Sequence, residues 1–307
     1  MATDFAIIDI GSNSIRYAEE HCGVLSEKEV YTTRLGKGLA DTGMLADSTM
    51  EASLEVIVRL ADRARAKGLT PMAYATSAVR DARNGREFAE SILKKCGVPV
   101  EILSGEQEAR FAFDGAVGQE GKYDVLIDIG GASMQIVTRE LNVSFRAGCV
   151  RCADIVRGVR CKKPGLDLKN NDPCPADCDI DPLAKRSALR EYLRGEVTLP
   201  KFECGRVVGV GGSITTLAAL NMGLDEFDPE RVNGSALEKP SLDRLQYKLF
   251  VMGDSARKQH PLLKARHDVI LYGAYILEYA MEALGADSIS VSTADGMEGY
   301  LMHLKEH

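Results

Sequence analysis

Short apolar runs alternate with helical patterns along the chain. Residues 6–10 form an apolar run that a glycine ends, which predicts a strand. Apolar positions three and four apart over residues 54–61 predict a helix. A capping box of Ser48 and Glu51 is expected to open that helix, and Gly68 to close it.

The alternation continues to the C-terminus. Further strands are predicted at the starts of "PMAYATSAVRDARNG" and "VPVEILSG". Two more are predicted from residue 125 into DIGGAS and over residues 134–139, and the last two at the starts of "RVVGVGGSITTLAAL" and "SISVSTADGMEGYLMHL". Further helices are predicted over residues 86–96, 106–117, 183–193, 242–252 and 269–284, and residues 170–182 read as a loop. Strands that alternate with helices indicate an α/β protein.

One turn motif occurs twice in the sequence. "AIIDIGSNSIRY" begins at Ala6, and "VLIDIGGASMQIV" begins at Val125. Each has an apolar run, then Asp-Ile-Gly, then small polar residues; the aspartates are Asp9 and Asp128. Such a restart predicts an internal duplication, with two α/β domains facing each other across a cleft.

Glycine turns that follow strands can bring backbone N–H groups close to an anion. Three such turns occur here, and the last also opens a helix, whose N-terminus attracts phosphate. The simpler alternative is that glycine serves only tight strand connections. The candidate phosphate-binding residues of these turns are Ser12, Asn13, Ser14, Gly130, Gly131, Ala132, Ser133, Gly211, Gly212 and Ser213.

Charged residues near the turns suggest further chemistry. Asp128, with Asp9 as a second candidate, would bind Mg²⁺, which prefers one or two carboxylates and substrate phosphates. The alternative is that each aspartate hydrogen-bonds to its own turn. Arg80 in "ATSAVR" would grip phosphate or form a surface ion pair. Glu106 and Glu108 open a helix, and the residues alone do not choose between them as a catalytic base.

Composition and charge narrow the class of protein. The chain has 307 residues, enough for two domains, with 45% hydrophobic and 27% charged residues. A net charge of −7 argues against nucleic-acid binding, although a basic stretch that includes Arg151 and Arg157 would suit a polyanion or a solvated helix face. No signal peptide or membrane-length apolar run is evident, so a cytoplasmic protein without membrane contact is expected.

Five of the eight cysteines fall between Cys149 and Cys178. Zinc or iron at Cys152, Cys161, Cys174 and Cys178 is one interpretation, and unligated thiols in a loop are the other. The spacing matches no standard zinc pattern.

Several motifs together resemble the exopolyphosphatase and guanosine pentaphosphate phosphohydrolase (Ppx/GppA) phosphatases. They are IDIGSNS, RLGKGL, ATSAVRDARNG, ILSGEQEARFAFDGAV, LIDIGGAS, GCVR, VGVGGSITTLAAL and RHDVILYGAYIL. The resemblance implies two actin-like (RNase H-like) domains and a homodimer. Domain I would comprise residues 1–119 plus about 296–307, and domain II residues 120–295 with a Cys-rich insertion at about 149–182.

The resemblance also implies an activity. It implies Mg²⁺-assisted, in-line hydrolysis of the terminal phosphate of polyphosphate or pppGpp, with Glu108 as base, Asp128 on the metal and Arg80 on phosphate. Two positions depart from the family pattern: Gln135 stands where a glutamate is usual, and Met297 where an arginine is common. Gln135 should weaken Mg²⁺ binding, and it motivates an alternative, a non-catalytic sensor of polyphosphate or alarmone.

Overall fold

The strands of the described residues form two sheets of six. The computed structural model describes residues 4–117, 123–157, 182–200 and 204–306. The first sheet comprises β1 (Phe5–Ile10), β2 (Ser14–His21), β3 (Val24–Leu25), β4 (Glu29–Thr32), β5 (Thr70–Ala75) and β6 (Val100–Ile102). The second comprises β7 (Val125–Ile129), β8 (Met134–Val137), β9 (Asn142–Phe145), β10 (Val207–Val210), β11 (Ala236–Glu238) and β12 (Ser288–Val291).

Helices separate and cover these strands. Those of the first half are α1 (Leu39–Thr42), α2 (Asp47–Ala66), α3 (Ser77–Asp81), α4 (Gly85–Cys96) and α5 (Gly105–Val117). Those of the second half are α6 (Cys149–Arg157), α7 (Pro182–Glu196), α8 (Gly212–Asn221), α9 (Pro229–Val232), α10 (Lys239–Gln259), α11 (Ile270–Leu284) and α12 (Gly296–Glu306).

Both sheets repeat one strand order. In the first, the order is β3-β2-β1-β5-β6, with β4 also pairing with β2; in the second it is β9-β8-β7-β10-β12-β11. β1 pairs antiparallel with β2 and parallel with β5, as β7 pairs antiparallel with β8 and parallel with β10. The predicted duplicated, two-sheet α/β architecture is therefore confirmed.

Each sheet has its own apolar core. Ile8 and Ile10 of β1 pack with Ile57 of α2 and Phe88 of α4, all at most 3% exposed. A separate cluster joins β7, β8 and β10 to α6, α8 and α11. Full burial of such a side chain contributes roughly 1.5–3 kcal/mol, so each lobe is stabilised independently.

Two helices lie between the sheets. α5 packs on the second sheet through Ala109, Ala112 and neighbours, whereas α12 packs on the first sheet through Tyr300 and Leu301. Where they cross, a Cβ on Gly115 would overlap the Asp295 carbonyl, and one on Gly299 would overlap that of Phe111. The crossing thus requires glycine on both helices. The domain boundary near residue 119 stays a prediction.

Three local predictions differ from the structure. α2 begins at Asp47 after an Ala46 cap that makes no side-chain bond, so the capping box of Ser48 and Glu51 was wrong. Residues 149–157, taken as part of a basic Cys-rich stretch, form α6. α10 runs well beyond residues 242–252 because Gly253, at φ 70°, lets a second helical segment continue after a kink.

Candidate active site

A cavity of about 790 Å³ lies between the two sheets. The ends of β1, β5, β7 and β10 line it, together with the first turns of α5, α8 and α12. Carboxyl ends of strands are where α/β proteins ordinarily bind ligands. The duplication therefore brings the equivalent ends of both sheets to one space.

The two repeated glycine turns both line this cavity and contact each other. Each is closed by the same backbone bond, from Gly11 N to Ser14 O (3.1 Å) and from Gly130 N to the corresponding serine oxygen (3.0 Å). A Cβ on Gly131 would lie 2.6 Å from that of Ser12 and 3.1 Å from Asn13 N. Only glycine permits this approach, so the turns meet as two sides of one cradle.

Asn13 is the polar side chain at this junction. It is 5% exposed, and both amide atoms lack a hydrogen-bond partner among the described residues. Buried polar groups are ordinarily paired, and an unpaired one at a cavity wall indicates a place for a ligand or water.

The third turn joins β10 to α8. Gly211 has φ 92°, a conformation that favours glycine, and a Cβ there would lie 2.8 Å from Asp128 Oδ1. α8 begins at Gly212, so its N-terminal N–H groups face the cavity wall. Of the predicted phosphate-binding residues, seven line the cavity: Ser12, Asn13, Ser14, Gly130, Gly131, Gly211 and Gly212. The cavity lining does not include Arg80, Ala132, Ser133 or Ser213.

Glu108 lines the cavity from the first turn of α5. A capping box fixes this turn: Ser104 N donates to Gln107 Oε1 (2.9 Å), and Gln107 N donates to Ser104 Oγ (3.1 Å). Arg80 Nη1 donates to Glu108 Oε2 (2.7 Å) and to Leu103 O (3.1 Å). Burial raises the pKa of Glu108, and the Arg80 guanidinium opposes that rise.

Asp9 and Asp128 occupy equivalent positions with different partners. In the β1–β2 hairpin Asp9 lies opposite Arg16, and in the β7–β8 hairpin Asp128 lies opposite Gln135. Arg16 Nε donates to Asp9 Oδ2 at 2.6 Å. For Asp128 the described residues supply no ion pair, and burial together with the Glu108 charge raises its pKa to about 7. Asp128 therefore keeps its carboxylate available to the cavity.

Asp295 and Glu298 form an acidic cap that sequence reasoning missed. Asp295 N donates to Glu298 Oε2 (2.6 Å) and Met297 N donates to Asp295 Oδ1 (3.0 Å), which is a capping box for α12. Arg16 and Lys28 pair with Asp295, and although burial opposes it, their charges hold the pKa of Asp295 below its usual range. Met297, the position of a common family arginine, is fully buried in apolar core.

Arg266 was also missed, although its motif was noted. Its guanidinium lies against Gly212, where any Cβ would overlap it, and burial lowers its pKa. Within the described ranges the structure records no hydrogen bond or ion pair for this side chain, which lines the cavity. Arg266 is thus a positive charge available to an anion beside the third turn.

A magnesium ion fits the residues around Asp128. Gln135 is fully buried; its Nε2 donates to Ser133 Oγ (3.0 Å), and its Oε1 has no donor among the described residues. A carboxylate with an unsatisfied amide oxygen nearby suits a cation that keeps several waters and takes phosphate oxygens. Asp9 fits less well, because Arg16 occupies its Oδ2. In the described part of the chain, no group of three or more His, Cys, Asp or Glu side chains forms a metal site.

Among the described residues, the cysteines do not form the predicted metal site. Cys152 is a free thiol inside the core of the second lobe, and Cys161, Cys174 and Cys178 lie outside the described residues. Arg151 is 5% exposed and bonds to Ala132 O and Asp81, so it belongs to no surface strip.

The duplicated sheets around one cavity define a two-lobed α/β protein. Residues 16–158 match the Ppx/GppA phosphatase family. Exopolyphosphatase 2 of Mycobacterium tuberculosis is 30% identical over 98% of each chain. Among solved structures, the Aquifex aeolicus PPX-GPPA enzyme is 27% identical, with a TM-score of 0.73 and coverage of 98% of this chain and 99% of that one.

An exopolyphosphatase from Cytophaga hutchinsonii supports the fold, with a TM-score of 0.83 at 21% identity over 99% of this chain and 98% of that one. The chain belongs to the Ppx/GppA phosphatase family and is a phosphoanhydride hydrolase.

Within the described ranges, no helix has the length and hydrophobicity that a bilayer crossing requires.

Proposed function

We propose that this chain is an exopolyphosphatase, which removes the terminal phosphate of inorganic polyphosphate by in-line attack of water. The proposal depends on the convergence of Glu108, Asp128 and the paired glycine turns on one cavity. The relatives named as exopolyphosphatases support the choice of substrate.

The terminal phosphate is bound between the lobes. Backbone N–H groups of the two facing turns contact its oxygens, and the amide of Asn13 completes the cradle. The Arg266 guanidinium supplies positive charge on the side of the third turn, where a bidentate contact suits phosphate geometry. The rest of the chain leaves the site through the open side of the cavity.

Glu108 orients the attacking water and accepts its proton. Arg80 holds Oε2, so the water is assigned to Oε1. Burial raises the pKa of Glu108 toward neutral pH, and a general base is most effective when its pKa lies near the pH of the reaction. The products are inorganic phosphate and a polyphosphate chain one unit shorter.

Mg²⁺ would be held by Asp128, with Gln135 as a neutral neighbour. When bound, the ion neutralises charge on the phosphate oxygens. An all-protein cage is not required for this role, since Mg²⁺ is commonly held by one or two carboxylates together with the substrate.

Glu108→Gln tests the proposal against the matched variant Glu106→Gln. Both residues lie in the first turn of α5, but Glu106 is exposed. Phosphate release from polyphosphate should fall roughly 10²–10⁴-fold in Glu108→Gln only. Polyphosphate binding should be nearly unchanged.

The measurement is phosphate release with and without Mg²⁺, with polyphosphate and pppGpp compared in parallel. Release from pppGpp alone would assign the other substrate. Binding of polyphosphate without any release would favour the sensor, and loss of binding in Glu108→Gln would make this residue structural.

A further inference from the structure

The "CVRC" segment begins α6 and places two thiols three residues apart along its first turn. Cys149 and Cys152 are free, 2% and 0% exposed. Both belong to the apolar core of the second sheet, and Cys149 also lines the cavity, whereas Cys152 does not. A small reagent in the cavity therefore reaches one thiol of a neighbouring pair.

The backbone of this first turn holds the second glycine turn. Cys149 N donates to Gly130 O (3.0 Å), and Val150 N donates to Gly131 O (2.7 Å). Arg151 N also donates to Gly131 O (3.1 Å). A Cβ on Gly148 would overlap the backbone of Gly131, so nothing separates the two segments. A change in the first turn of α6 is thus transmitted to the glycine turn.

The spacing permits a disulfide. Helix geometry puts the Cα atoms of residues three apart about 5 Å from each other. Disulfides are found at Cα separations of about 4.4–6.8 Å. The bond also requires the two Cβ atoms to approach, so it must tighten the helical turn locally.

The environment of Cys149 contains groups that stabilise a thiolate. Burial raises its pKa, and the Ser213 hydroxyl and the Arg266 guanidinium act against that rise. The helix N-terminus adds a favourable field. Because Cys149 lines the cavity and Cys152 does not, Cys149 is the thiol of the pair that meets the reagent first.

We propose that Cys149 and Cys152 are a reversible dithiol–disulfide pair whose oxidation displaces the second glycine turn and lowers activity. The oxidant is a two-electron, thiol-specific reagent such as an azodicarboxamide. The Cys149 thiolate adds to its N=N bond; Cys152 sulfur then attacks Cys149 sulfur, forming S–S as the S–N bond breaks. The hydrazine leaves with the two electrons and two protons of the thiols.

The loss of activity rests on the proposed function of the glycine turn, but the disulfide and the displacement do not. Three measurements separate them. Trypsin cuts after Arg146, Arg151 and Arg157, so the linked product is AGCVR joined to CADIVR, lighter by two hydrogens than the sum of the peptides. Hydrogen exchange over residues 128–151 reports displacement, and phosphate release reports activity.

Oxidation of the whole chain should produce the linked peptides, faster exchange over residues 128–151 and a fall in activity of about tenfold or more, since misplacement by about 1 Å can cost 10²-fold. Dithiothreitol should reverse all three. Cys152→Ala, which lies outside the cavity, should keep its basal activity and show none of these changes on oxidation.

Absence of the linked peptides, or a link between Cys149 and another cysteine, would overturn the pairing. Linked peptides with unchanged exchange would overturn the displacement. Equal inactivation of Cys152→Ala would show that the disulfide is not the cause. If the reduced chain releases no phosphate, the proposed function is wrong, while mass and exchange still decide the disulfide.

Discussion

Replacing Arg80 by Gln distinguishes two roles for this arginine. Sequence reasoning expected it to bind phosphate, but the structure pairs its Nη1 with Glu108 Oε2 at 2.7 Å. Gln keeps a hydrogen-bond donor and removes the charge. If Arg80 acts on Glu108, the change should alter the pH dependence of the reaction more than the affinity for substrate.

The size of the effect follows from the ion pair. Both side chains are mostly buried, 23% and 13% exposed, so solvent screens the pair only partly. An arginine beside a carboxylate lowers its pKa by about 1–3 units. Without the Arg80 charge, the already raised pKa of Glu108 rises further, and a smaller fraction of Glu108 is ionised at a given pH. The acid limb of kcat/KM should therefore move about 1–3 pH units upward.

The assay is phosphate release between about pH 5 and about 9.5, a range that lies above the ordinary Glu pKa of about 4.3 and covers a raised one. Arg83→Gln is the matched control, since Arg83 lies in the turn that follows α3 but is exposed and donates to Thr42 O. KM for polyphosphate in Arg80→Gln should change little. A large rise in KM with an unmoved acid limb would refute this reasoning and restore the phosphate-binding role.

Three further predictions address the cavity and the acidic cap of α12. Gln135→Glu should lower the Mg²⁺ concentration for half-maximal activity about tenfold, because an added charge near the ion contributes on the order of 1–4 kcal/mol. Gln259→Glu, at an exposed position, is the control and should leave the Mg²⁺ titration unchanged. If Gln135→Glu also leaves it unchanged, Gln135 does not lie near the metal. Gly131→Ala should reduce phosphate release at least about tenfold by forcing the facing turns apart, whereas Gly195→Ala, with nothing within 4 Å of its Cβ, should not. Because the folded pKa of Asp295 lies below its ordinary value of 3.8, its stabilising contribution is complete above 3.8 and is lost as pH falls from there through the folded pKa. The urea midpoint should therefore decrease when the pH is lowered below about 4, and it should decrease less in Asp295→Asn.

The duplication was predictable because its signal is local. Asp-Ile-Gly ends β1 and β7, and the glycine that follows each strand is required by the same closed turn. The unlike roles of Asp9 and Asp128 are also present in the sequence once the hairpin register is known. Seven residues after each aspartate stands its cross-strand partner, Arg16 or Gln135, and only the first is charged.

The remaining site residues depend on tertiary contacts. Arg16 meets Asp295 across 279 residues, and no pattern in a single sequence signals such a pair. Arg266 becomes notable only because Gly212 leaves space for its guanidinium. α6 was missed because its first turn is fixed by bonds to Gly130 and Gly131, which lie in another segment.

The crossing of α5 and α12 restricts how the lobes can move. With glycine on both helices, backbone touches backbone, and no layer of side chains is present that could slide or repack. Rotation about this contact is then the motion that disturbs it least. Glu108 lies only about 10 Å along α5 from Gly115. Its carboxylate thus lies near the point where the helices cross, so rotation about this contact displaces the proposed base little.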